Sequence, residues 1–229
     1  MNHQLILDIL PITQPSFDNM VMGHNAQAIS AALALEAGQT LYLWGQDGSG
    51  RTHLLRASTH KSSGLYFDAT TPPELMTACA TSDTAMPPVV AVDDVHKLNL
   101  ASQAACFTLY NRFKEFSGSA HAFRLIVAGD RAPLNMPLRE DLRTRLGSGL
   151  VERLMPLSDQ DKFEALSTLA AEQAMPLSPE VLQWLLTYGS RDIRVLWGTI
   201  QALDRYALSN QRAITVPLLK TMLAEQTLF

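Results

Sequence analysis

An apolar run, Leu41-Tyr42-Leu43-Trp44, leads straight into Gly45-Gln46-Asp47-Gly48-Ser49-Gly50-Arg51-Thr52 and then into a helix-like stretch. Strand, glycine-rich turn and helix in that order are the context a phosphate-binding P-loop requires. The logic is physical. Glycines let the backbone curl so that N–H groups converge on phosphate oxygens, and the start of the helix adds its positive end. Gly45, Gly48, Ser49 and Gly50 are therefore candidate phosphate contacts, and Thr52 supplies a hydroxyl for Mg²⁺. Arg51 stands where the pattern expects lysine. Arginine keeps the charge but is a planar fork rather than a compact point charge, so binding of a di- or triphosphate is expected to survive and intrinsic hydrolysis to be weak or absent. The plainer alternative is a glycine turn with no ligand, against which the ordered context speaks.

Around this motif short apolar runs alternate with helical stretches. The runs are 40–44, 64–67, 89–92, 124–128 and 150–154, and helix-like segments at 52–60 and 102–116 lie between them. Strands alternating with helices predict parallel strands joined by crossovers, a three-layer α/β sandwich. The uninterrupted run Val89-Val90-Ala91-Val92 fits a sheet covered on both faces. From Leu157 onward the strands stop. Ser158 with Asp161 forms a capping-box pattern, Ser178-Pro179-Glu180 opens a second helix, Ser190 precedes a third, and Thr215 opens a fourth. The expected division is a terminal peptide at 1–12, an α/β base at 13–156 and a small helical lid at 157–229.

The strand 89–92 ends in Asp93-Asp94. A buried strand with two carboxylates at its tip matches a Walker B motif: Asp93 for Mg²⁺ and Asp94 to orient an attacking water. Alone, the pair would read as a strand end followed by a solvated acidic turn; the P-loop upstream makes that the lesser reading. Gly129-Asp130-Arg131, past the strand 124–128, offers Asp130 as a group facing the γ-phosphate, though in isolation it is only a turn.

Composition narrows the functions. A net charge of −4 is not that of a protein whose main task is gripping DNA phosphates. The two cysteines, Cys79 and Cys106, have no metal spacing and read as reduced, packed thiols of a cytoplasmic protein. No stretch is apolar for long enough to span a membrane, and the N-terminus lacks a secretion-signal pattern. The three tryptophans, Trp44, Trp184 and Trp197, sit inside apolar runs and are expected in the core.

At these motifs the chain resembles the replication initiator DnaA and its relatives among the AAA+ proteins, from Phe17 to the C-terminus. Phe17-Asp18-Asn19 with Val21 and Gly23 resembles the segment framing the adenine side. Gly50-Arg51-Thr52-His53-Leu54-Leu55 resembles the P-loop helix, which adds His53 to the nucleotide contacts. Asp93-Asp94 resembles the Walker B pair and Gly129-Asp130-Arg131 the sensor 1 turn. Arg143-Thr144-Arg145-Leu146-Gly147 resembles the stretch carrying the arginine finger, mapped to Arg145, with Arg143 the alternative. Asp192-Ile193-Arg194-Val195-Leu196-Trp197-Gly198 resembles the sensor 2 helix, placing that arginine at Arg194; by spacing alone it is equally an arginine at a helix edge with its stem packed. Asn111 and Arg112 map near a subunit interface, or simply form a solvated helix face. The resemblance implies ADP or ATP with Mg²⁺ as cofactors.

Two departures from the initiator pattern carry the expectation of function. The initiator's helix-turn-helix domain is expected to be missing. The terminal peptide resembles the hexapeptide that docks on the sliding clamp, the beta subunit of DNA polymerase III, with Gln4, Leu5, Leu7 and Ile9 in the matching places. That layout is similar to the regulatory inactivators within the family. The implied function is a cytoplasmic, ADP-bound adaptor that binds the DNA-loaded clamp and stimulates ATP hydrolysis by DnaA through Arg145 acting in trans. The surfaces leave room for a homo-oligomer. The alternatives are an AAA+ ATPase acting on its own nucleotide, such as a helicase-loader-like protein, and a DNA-binding initiator.

Overall fold

The computed structural model describes residues 14–82 and 84–226. Residues 26–153 run α1 (Ala26–Ala34), β1 (Thr40–Trp44), α2 (Arg51–Lys61), β2 (Leu65–Phe67), α3 (Pro73–Thr81), β3 (Val89–Val92), α4 (Leu100–Phe116), β4 (Arg124–Gly129), α5 (Glu140–Leu146) and β5 (Leu150–Arg153). The strands lie in the order β2-β3-β4-β1-β5, and every pairing is parallel. Strand tips therefore share one edge, and Trp44, opposite Gly129 in the β1–β4 register, delivers the glycine loop to it.

The strands read as continuously apolar because both faces are covered. Side chains alternate across a strand, so Tyr42, Val90, Val92, Leu125 and Val127 pack against α3, α4 and α5. Leu41, Leu43, Val89, Ala91, Ile126 and Ala128 pack instead against α1 and α2. That is the expected three-layer sandwich.

Four helices follow: α6 (Asp159–Glu172), α7 (Pro179–Tyr188), α8 (Ile193–Ser209) and α9 (Val216–Gln226). Their core, around Leu166, Leu182, Ile200, Leu203 and Leu219, draws only on these helices and their connections. The capping box of Ser158 and Asp161 opens α6 as the spacing predicts. Pro179 occupies the first turn of α7, but Ser178 makes no side-chain cap. The cap of α8 is Asp192, which accepts from the Arg194 N–H, rather than Ser190. Ser190 accepts instead from the N–H of Asp192, so the two residues form successive local turns and the helix starts at the second.

Buried Asn25 joins the entry segment to the exit of the sheet. Its amide donates to the Met155 carbonyl (2.9 Å) and accepts from the Met155 N–H (2.7 Å). No helix among the described residues is long and apolar enough to cross a membrane.

Candidate nucleotide site

The glycine loop caps the parallel sheet where β1 meets α2. Gly48 and Gly50 have φ of +80° and +94°, left-handed values that cost a side-chain-bearing residue about 1–2 kcal/mol. Gly45 has a different reason: a Cβ there would lie 2.2 Å from the Leu154 carbonyl oxygen. No side chain caps α2, so its first N–H groups remain for a ligand. Ser49 is buried, and its Oγ has no hydrogen-bond partner among the described residues. A buried polar atom without a partner costs about 1–3 kcal/mol. An anion in the loop would relieve that cost, so the cradle fits a phosphate.

Arg51 does not reach outward. Its side chain is 6% exposed. Nη1 donates to the Gly45 carbonyl (2.9 Å), and Nη2 donates to Asp47 (2.9 Å) and Asp94 (3.2 Å). The fork thus ties the loop to the tip of β3. Asp94 also accepts from Lys97 Nζ at 2.7 Å and holds a left-handed φ of +48°. Its carboxylate is therefore neutralised from two sides.

Asp93 is buried at the same tip. Its Oδ2 accepts from the Thr52 hydroxyl (2.6 Å) and the Tyr66 hydroxyl (2.7 Å), and its Oδ1 accepts from the Asp94 N–H (2.8 Å). A hydroxyl and a carboxylate joined in this way at a phosphate cradle form an oxygen donor set suited to Mg²⁺.

The sequence candidates do not all converge. Asp130 reaches the same edge but is paired in a fork with Arg131 (2.6 and 3.0 Å), whose hydrogen bonds hold its carboxyl below the ordinary value. Arg194 is 70% exposed and forks onto Asp192 of its own cap (2.6 and 3.1 Å). Its stem is not packed into the lid. Burial lowers the pKa of His53, and the Arg194 charge adds to that. His53 itself contacts the Ser16 carbonyl (2.9 Å).

Arg145 lies elsewhere. It sits in the last turn of α5, in the layer with α4 and across the sheet from α2. Its guanidinium carbon stands 4.2 Å above the Phe107 ring and 5.7 Å from that of Tyr110. It helps line an open depression with Arg139, Glu140, Asp141 and Thr144. Arg143 is different: its Nε is buried without a partner among the described residues. Asn111 is exposed. Arg112 has an internal task, donating to the carbonyls of Ala80 (3.3 Å) and Thr84 (3.2 Å) while stacking on Phe116. Gln4, Leu5, Leu7 and Ile9 lie outside the described residues.

Sequence reasoning missed Tyr66, Lys97 and Phe107. No motif marks them, and only adjacency in the fold brings them to Asp93, Asp94 and Arg145. The tryptophans are a correction. All three are partly buried at core edges, because indole is too large to enclose and Trp44 sits at a strand tip under Arg153 (4.9 Å).

A parallel sheet in this order, a phosphate cradle after β1, paired carboxylates after β3 and a helical lid define a P-loop protein of the AAA+ class. Residues 159–223 match the family described as Hda, lid domain. Domain III of the replication initiation protein DnaA from Thermotoga maritima superposes with a TM-score of 0.71 at 19% identity, over 92% of this chain and 95% of that one. AMPPCP-bound DnaA from Aquifex aeolicus gives 0.65 at 20% identity, over 86% of this chain and 66% of that one. The Thermotoga maritima RuvB Holliday junction branch migration motor gives 0.66 at 16% identity, over 93% and 72%. The chain thus spans about two thirds of the Aquifex initiator chain it matches. The fold is thus that of the AAA+ proteins, and the helical segment is similar to the lid domain of Hda.

Proposed function

We propose that this chain is a regulator of replication initiation that holds a nucleotide in its own P-loop and acts on the ATP of a DnaA partner. Gly45 to Thr52 with Arg51 would hold the phosphates of ADP or ATP, Thr52 and Asp93 would hold Mg²⁺, and Arg194 would approach from the lid. Bound Mg²⁺ neutralises phosphate charge and orients the phosphate oxygens. Gln4, Leu5, Leu7 and Ile9 would dock the chain on the DNA-loaded sliding clamp, and Asn111 and Arg112 would lie at the DnaA-facing surface. The initiator's ATP would then be hydrolysed and re-initiation prevented.

The observation that carries this reading is Arg145. An arginine held 4.2 Å over an aromatic ring at an open surface, across the sheet from its own P-loop helix, is available to another molecule's phosphates. The Hda lid match supports the same class of partner. Asp94, clasped by Arg51 and Lys97, speaks against the alternative in which the chain turns over its own ATP.

The test is ATP hydrolysis by DnaA with DNA-loaded clamp. Arginine fingers are worth about 10³–10⁵ in rate, so Arg145→Ala should remove nearly all stimulation while clamp and nucleotide binding persist. Full stimulation by Arg145→Ala with loss in Arg143→Ala would move the finger by one half-turn of helix. Full stimulation by both would overturn the proposal.

A further inference from the structure

Asp93 holds more donors than strand geometry requires. One of its oxygens takes both the Thr52 and the Tyr66 hydroxyl (2.6 and 2.7 Å), and the other takes the Asp94 N–H (2.8 Å). The tyrosine reaches it from β2, the strand next to β3, where Tyr66 stands opposite Ala91 in the register.

The Tyr66 ring is itself held. The Arg56 guanidinium lies 4.2 Å above its centroid, and Arg56 is placed a further 4.0 Å from Asp68. Thr52 and Arg56 are four residues apart on α2 and so share one helix face. That face therefore supplies both a hydroxyl to Asp93 and a cation over the ring whose hydroxyl meets the same oxygen.

We infer that Tyr66 is a positioning residue of the magnesium site, orienting the Asp93 carboxylate and so setting how strongly Mg²⁺ tightens nucleotide binding. This rests on the nucleotide reading above. A carboxylate fixed by donors on both oxygens cannot swing about its terminal torsion, which is otherwise broad. Thr52 is itself assigned to the metal above, so Tyr66 is the donor on that oxygen that stands outside the metal set, and its loss leaves the Asp94 N–H to orient the carboxylate from outside that set. Removal of an outer partner of a metal ligand typically costs about 10–100-fold in metal affinity.

The experiment compares ADP affinity in saturating Mg²⁺ and in EDTA, by calorimetry, for the full chain and for Tyr66→Phe. The ratio of the two affinities is the magnesium coupling. Tyr66→Phe should lower that ratio about tenfold or more and leave the EDTA affinity unchanged. An unchanged ratio, or an equal loss under both conditions, would show that the hydroxyl only completes packing and would overturn the inference. Arg56→Gln removes the cation over the ring but keeps the phenol. It should lower the ratio less than Tyr66→Phe does, and it carries the test if Tyr66→Phe does not fold, since an unchanged ratio there overturns the inference equally. Absence of ADP binding by the wild-type chain under both conditions would defeat the nucleotide reading and this inference together. Binding with unchanged coupling in the variants defeats this inference alone.

Discussion

Replacing Arg51 with alanine tests what the unusual P-loop arginine does. Its fork is 6% exposed and serves three acceptors of different worth. Gly45 is buried, so stranding its carbonyl costs about 1–3 kcal/mol. Asp47 is 86% exposed and passes to water, a loss of at most about 1 kcal/mol. Asp94 keeps Lys97. The buried stem contributes about 0.8 kcal/mol per methylene. Against these stands the relief of no longer burying a guanidinium, several kcal/mol in its own right. The expected net destabilisation of the ligand-free protein is about 0.5–3 kcal/mol. Urea unfolding should be followed by circular dichroism and by tryptophan fluorescence, because the base and the lid hold separate cores and a single probe would blur two transitions. Arg51→Lys, whose single ammonium cannot span all three acceptors, should lose about half as much stability. It should also release Asp94 and raise ATP turnover in a phosphate-release assay. A wild-type urea midpoint for Arg51→Ala would refute the view that this fork holds the loop to the tip of β3.

Asn25→Ala should destabilise the chain by about 2–4 kcal/mol, since it strands both Met155 backbone groups; thermal unfolding reads this directly. Phe107→Ala should weaken stimulation of DnaA while nucleotide affinity holds, because Arg145 loses the ring beneath it; a variant that stimulates fully would refute the platform. Ser158→Ala should cost the lid about 1 kcal/mol. Hydrogen bonds from the Ser158 hydroxyl and N–H hold Asp161 below its ordinary value. That contribution is fully present above the unfolded carboxylate pKa of about 4 and is lost as pH falls through the lowered value, so the part of the penalty that runs through the Asp161 carboxylate should be lost in acid, while the part from the Asp161 N–H on the Ser158 hydroxyl remains. Burial pushes the Cys106 thiol up to about 12, so alkylation at pH 8 should be negligible until the protein unfolds.

The elements themselves were legible because their signals are local. Val89–Val92 and Thr40–Trp44 appear with the boundaries expected from apolar runs, and the Ser158–Asp161 box closes within one helical turn. The phosphate loop was legible for the same reason, since its glycines lie in one short segment. Ser190 against Asp192 marks the limit of local signals: two capping residues lie two positions apart, and only the final path of the chain selects one. The tertiary structure alone decided what meets Asp93. Thr52, Tyr66 and Asp93 come from α2, β2 and β3, and the parallel crossovers bring them within hydrogen-bonding distance. It likewise folded Arg51 inward, turned Arg112 to brace carbonyls at the end of α3 and just past it, and laid Arg145 on Phe107. A sequence states the charge of an arginine. Where its flexible side chain comes to rest depends on acceptors and rings contributed by distant segments, and those exist only once the sheet has formed.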